Sequence, residues 1–144
     1  VYVTSGASHD PIIQRGCEAT WRGVSVFVRP RAAFMRVGNC ELFLAHGDIA
    51  VSKGTLAFAL NALSRVLGMN LLVEKALKAR LGLPRKVWLV MGHTHIPGID
   101  YKARVANAGS WRSFWAGRLP YWRKPSFTYI LVDGEKVELK AANP

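Results

Sequence analysis

Acidic residues are scarce in this chain. Nine Asp and Glu stand against twenty Lys and Arg, leaving a formal net charge of +11 over 144 residues. That balance favours anionic partners: phosphorylated metabolites, nucleic acid or an anionic membrane surface. It does not choose among them, and a solubilising surface rich in Arg and Lys explains it as well. Cysteine is nearly absent. Cys17 and Cys40 have no CxxC spacing, so a disulfide framework is not indicated and a reducing cytoplasm is the default compartment. No apolar run reaches the roughly 18 residues of a membrane span, and no signal peptide is evident. Internal repeats and low-complexity tracts are missing too. The first residue is Val1 rather than Met, and the chain opens directly into a strand-like run, which points toward a piece of a longer protein.

Half of the residues are hydrophobic, enough for one packed core in a chain of single-domain length. Val1 to Thr4, Val24 to Val28, Ala33 to Val37 and Glu41 to Ala45 read as strands, with Gly38-Asn39 as a turn. The middle is helical. Leu56, Leu60, Leu63 and Leu67 form one stripe at helical spacing, and a second helix is expected from about Leu71 to Leu81, stopped by Gly82 and Pro84. Val87 to Met91 is then a buried strand. Arg104 to Ala108 follows as another, and Phe127 to Val132 and Lys136 to Lys140 flank Asp133-Gly134 as a hairpin. The pattern is α/β.

The four histidines, His9, His46, His93 and His95, each follow a predicted strand in a loop of small residues. A structural histidine more often sits inside an element, whereas loops at the carboxyl ends of strands are where open sheets place ligands. His93 and His95, two apart, share a face if extended; in a tight loop they can reach two adjacent ions. Neutral imidazole is a common ligand for zinc, manganese and iron.

Gly6-Ala7-Ser8-His9-Asp10, Leu44-Ala45-His46-Gly47-Asp48 and Met91-Gly92-His93-Thr94-His95, the last continued by Ile96-Pro97, resemble three boxes of the calcineurin-like metallophosphoesterases. Asn107-Ala108-Gly109-Ser110 resembles the segment after them. The resemblance covers almost the whole chain and corresponds to the C-terminal part of that family's domain. It implies a sandwich with a mixed sheet and flanking helices, lacking the N-terminal strand-helix-strand portion, so that residues 1–144 form a single partial domain. It also implies roles. His46 and His93, with Ser8, would bind one metal of a two-metal centre, and His95 the other. His9 would act as general acid, and a metal-bridging hydroxide would attack phosphorus in line. Asn107 and Ser110 would line the phosphate site. Manganese is the expected ion, with zinc or iron as alternatives, and this chain by itself has ligands for as few as one. The implied activity is hydrolysis of a phosphate monoester, diester or pyrophosphate.

The chain departs from the family in two places. The earlier Asp-x-His and Gly-Asp-x-x-Asp boxes, which include the bridging aspartate, have no counterpart here. Ser8 stands where the family has Asn. The helical pair, residues 55–83, reads first as cover for the sheet and second as a cap over the site. Members of the UDP-diacylglucosamine pyrophosphatase type, which act on a lipid-linked nucleotide sugar, carry helical material at this point. Trp111, Phe114, Trp115, Tyr121 and Trp122 alternate with Arg112, Arg118, Arg123 and Lys124. That stretch suits nucleobase stacking, phosphate binding or a membrane interface, and equally a loop packed on the core or in a homo-oligomer contact. Two rival functions stay open: a non-catalytic remnant binding an anion, a lipid or a partner, and a nuclease.

Overall fold

A computed structural model describes residues 2–5, 17–21, 24–30, 32–46, 59–60, 63–64, 66–111, 114–115, 122–123 and 125–142. Twelve strands and one helix are defined among them: β1 (Tyr2–Ser5), β2 (Cys17–Trp21), β3 (Val24–Pro30), β4 (Ala32–Val37), β5 (Cys40–Ala45), α1 (Leu72–Arg80), β6 (Trp88–Met91), β7 (Gly98–Asp100), β8 (Val105–Asn107), β9 (Phe114–Trp115), β10 (Trp122–Arg123), β11 (Thr128–Asp133) and β12 (Lys136–Ala141). The α/β class read from the sequence is the one observed. No helix among the described residues is long and apolar enough to cross a membrane.

The centre is a five-stranded mixed sheet in the order β4-β5-β6-β8-β7. Strands β5, β6 and β8 run parallel, and β4 and β7 are antiparallel edges. Side chains alternate across a strand, so each central strand supplies both faces. One face gathers Ala45, Leu89, Met91 and Val105 against Leu71 and Leu77 from α1 and the residue before it. The other gathers Cys40, Leu42, Trp88 and Ala106 against Val137 of the β11–β12 hairpin, with Ile130 and Val132 beside it. The sheet is thus covered by a helix on one side and a hairpin on the other. Each fully buried Leu or Val contributes about 1.5–3 kcal/mol relative to exposure. Cys40 carries a free thiol in this core.

Sequence and structure differ at three points. The hairpin turn consists of Gly134 and Glu135, since Asp133 pairs with Lys136. That register pairs Val132 with Val137, which keeps both on the core side, and Gly134 supplies the positive φ of 58° at the first turn position. Second, Leu60, Leu63 and Leu67 are exposed, Leu63 to 57%. The leucine stripe therefore does not cover the sheet; α1 does. Third, β2, β7, β9 and β10 have no counterpart among the predicted strands.

Helix α1 buries Val73, Glu74, Leu77 and Lys78, one face at successive turns. It ends in a Schellman-type cap: Gly82, at φ 62°, donates its N–H to Ala79, and Leu83 donates to Lys78. Lys78 fixes the helix to the sheet. Its Nζ donates to the carbonyls of Val87 (2.6 Å) and Ala103 (2.7 Å), with Arg104 and Arg85 further off. Burial, and then the positive charge of Arg104, hold this ammonium below the ordinary lysine pKa. Asp100 adds a second tie, accepting from Lys75 Nζ at 2.7 Å and from the Ala103 N–H at 2.9 Å.

Replacing Lys78 by Met keeps the stem but leaves buried carbonyls without their donor, so chemical denaturation is expected to show a loss of about 2–4 kcal/mol. Asp100 gives a pH test. The Lys75 hydrogen bond, and then the Ala103 bond, hold its carboxyl below the usual range. Its contribution is therefore complete above the unfolded-state pKa and is lost as pH falls through the folded-state value. Asp100→Asn should cost at most about 1 kcal/mol near neutrality, because the pair is partly exposed, and the difference from the parent should vanish in acid.

Candidate metal centre

The ends of β5, β6 and β8 are in register. Ala45 pairs with Met91, and Met91 with Asn107. Neighbouring strands lie about 4.8 Å apart, so the residues that follow emerge side by side at one edge of the sheet. His46 is the first residue after β5. Gly92 to His95 follow β6, and Ala108 to Ser110 follow β8.

His46 and His93 meet there. His93 Nδ1 lies 3.2 Å from His46 Nε2, with ring centroids 5.0 Å apart and planes at 70°. Two imidazole nitrogens on one tetrahedral ion, each about 2.05 Å from it, are about 3.3 Å apart. The spacing therefore fits a shared cation; it also fits a shared proton. His93 Nε2 and His95 Nδ1 are both sealed from solvent.

The loop carrying these histidines is unusually bent. His93 has φ 59° and His95 φ 57°, the left-handed region that branched and bulky residues avoid. Thr94 N–H donates to the Gly92 carbonyl at 2.7 Å, closing a three-residue turn around His93. A turn of this kind with positive φ at its centre is rare and strained. So the histidines sit in a tight loop and not on an extended strand.

Asn107 holds the loop from below. Its Nδ2 shares its two hydrogens among three acceptors, the Gly92 carbonyl (2.8 Å), Thr94 Oγ1 (2.7 Å) and Glu74 Oε1 (2.7 Å), while its Oδ1 accepts from the Gly109 N–H (2.9 Å). Thr94 Oγ1 also donates to Glu74 Oε1 at 3.1 Å. Asn107, Thr94 and Glu74 are all 0% exposed. Both ends of the Asn107 amide are engaged inside the protein. Ser110 is also buried. Its backbone is clamped by Ser126: Ser110 N–H donates to Ser126 Oγ at 2.9 Å, and its carbonyl accepts from the Ser126 N–H at 2.8 Å. Glu74 escaped the sequence reading altogether. The available signal was its position between Val73 and Leu77 on the buried helix face.

His9 and Ser8 lie outside the described residues, as do Gly47, Asp48 and most of the cation-and-aromatic stretch. Trp111 of that stretch is exposed, but its Nε1 donates to the Thr128 carbonyl at 2.8 Å and its ring meets Phe127 edge-on. Among the described residues no group of three metal-ligating side chains occurs. A cavity of about 540 Å³, lined by Lys86, Trp88, Tyr101, Arg104 and Glu138 among others, opens at the amino ends of β6 and β8, away from the histidines. Lys86 there is engaged by Glu41 at 3.0 Å, and nothing in that cavity matches the chemistry of the histidine cluster.

No protein-family model matches the chain. No curated protein matches it significantly either. The geometry and the motifs carry the functional reading alone.

Gly109 offers a test of the clamp after β8. It has φ 76°, and a Cβ there would run into the side chains of Ser126 and Thr128. Gly109→Ala is expected to destabilise the protein by about 1–3 kcal/mol, lowering the thermal midpoint by roughly 3–10 °C in calorimetry.

Proposed function

We propose that this chain forms the C-terminal part of a calcineurin-like metallophosphoesterase site and contributes to metal-dependent hydrolysis of phosphate esters or pyrophosphates. The observation that carries the reading is the approach of His93 Nδ1 to His46 Nε2 at the carboxyl ends of two parallel strands. The order of the three histidine-bearing loops along the sequence supports it, and so does the surplus of positive charge.

In this reading His46 and His93 hold one divalent ion, with Ser8 beside them, and His95 belongs to a second. Manganese is the first expectation, and zinc or iron also suit imidazole. Such ions, when bound, supply Lewis acidity toward phosphoryl oxygens and lower the pKa of water. The protein's own groups do the rest. The bent Gly92–His95 loop presents both imidazoles from one rigid turn. His9 donates a proton to the leaving oxygen. The chain's net positive charge attracts the anionic substrate. The fold is proposed to be the family's sandwich, with the β4-β5-β6-β8-β7 sheet as one layer.

Full-length protein loaded with Mn²⁺ and freed of excess metal is expected to retain near-stoichiometric ion and to hydrolyse a generic aryl phosphodiester or monoester. His93→Ala and His46→Ala should each lower both by more than the roughly ten- to hundredfold typical of groups that only orient a ligand. A metal-free, inactive full-length product would favour the non-catalytic remnant. Cleavage confined to DNA or RNA, with steeply salt-dependent binding, would favour the nuclease.

A further inference from the structure

We propose that Glu74 is a positioning residue for the histidine pair: through Thr94 and Asn107 it holds the Gly92–His95 loop in the conformation that brings His93 onto His46. The inference concerns this chain's own geometry and deepens the metallophosphoesterase reading. A carboxylate with 0% exposure between helix and sheet is costly unless its hydrogen bonds are made. Here one oxygen, Oε1, accepts from both Asn107 Nδ2 and Thr94 Oγ1. Those two donors come from different places: Thr94 stands between the two left-handed histidines, and Asn107 closes β8. Asn107 also grips the Gly92 carbonyl, the opposite end of the turn around His93. Glu74 therefore ties both ends of the turn, one directly and one through Asn107, to a helix that is itself locked to the sheet by Lys78.

The helix makes Glu74 tolerable there. It is the third residue of α1, inside the first turn, where the helix dipole favours negative charge. The loop needs such support because each left-handed non-glycine residue costs on the order of 1–3 kcal/mol and persists only where its surroundings over-determine it. Groups that orient metal-binding imidazoles commonly change metal affinity or activity by about ten- to hundredfold when removed.

The test uses Glu74→Gln, which keeps an acceptor oxygen at Oε1; Glu74→Leu, which removes it; and Thr94→Val, which removes only the hydroxyl link. Two readouts are taken on folded protein: ring-proton NOEs between His46 and His93 without metal, and Co²⁺ affinity by absorption titration. The parent and Glu74→Gln are expected to show the NOE and bind Co²⁺ within a few-fold of each other. Glu74→Leu and Thr94→Val should lose or weaken the NOE and bind Co²⁺ about ten- to hundredfold more weakly. If Glu74→Leu does not fold, Thr94→Val carries the test. Retention of the full NOE in the folded link-breaking variants overturns the proposal, as does its absence from the parent. A parent that shows the NOE pattern but binds no Co²⁺ leaves the positioning role standing and removes the metal centre, so the two readings fail separately.

Discussion

Parallel register is the constraint on which the site depends. Hydrogen bonding aligns Ala45, Met91 and Asn107 across three adjacent strands, so the chain leaves the sheet three times at one edge. Nothing about the histidines causes this. It follows from apolar residues alternating toward a helix on one face and a hairpin on the other, which fixes register because a one-residue slip would turn every core side chain outward. His46 and the Gly92–His95 loop then emerge about one strand spacing apart. Side chains of that length, leaning toward each other, meet at the observed 3.2 Å. The approach of the two histidines is a consequence of the core.

Much of this was legible in the sequence, and the reason is physical. β5 and β6 are short apolar runs ended by a small residue and a histidine, so both the strand and the histidine-bearing loop after it are written locally. Helix α1 is bounded by Gly82 and Pro84, which give it an unambiguous end. β7 was not legible, because its three residues, Gly98-Ile99-Asp100, contain one strongly apolar side chain and pair only through β8. The exposed leucine stripe misled for a different reason. Periodicity reports that leucines share a helix face, not that another surface covers it.

Asn107 and Glu74 mark the deeper limit. For Asn107 the sequence offered only the family resemblance, which implies a place beside a phosphate. Glu74 looked like an ordinary charged residue on a helix. Their roles exist only where residues 33 positions apart in the chain come together. A carboxylate, a hydroxyl and an amide satisfy one another around a single oxygen, and each would be expensive to bury alone. No window of sequence contains that interaction.

The same bonds bear on whether the 3.2 Å contact is an end in itself. A hydrogen bond between two neutral imidazoles contributes about 0.5–1.5 kcal/mol net. Two left-handed histidines cost on the order of 1–3 kcal/mol each, before counting the burial of Glu74. A fold selected only for stability gains more by relaxing the loop and replacing Glu74 with an apolar residue of similar volume, an exchange that is often neutral or favourable in cores. Local strain held in place by a satisfied polar network is instead the arrangement expected where imidazoles must be kept ready for a ligand absent from the unfolded chain. Binding of a divalent ion would then offset the strain, which is why the proposed metal accounts for the bent loop better than the shared proton does.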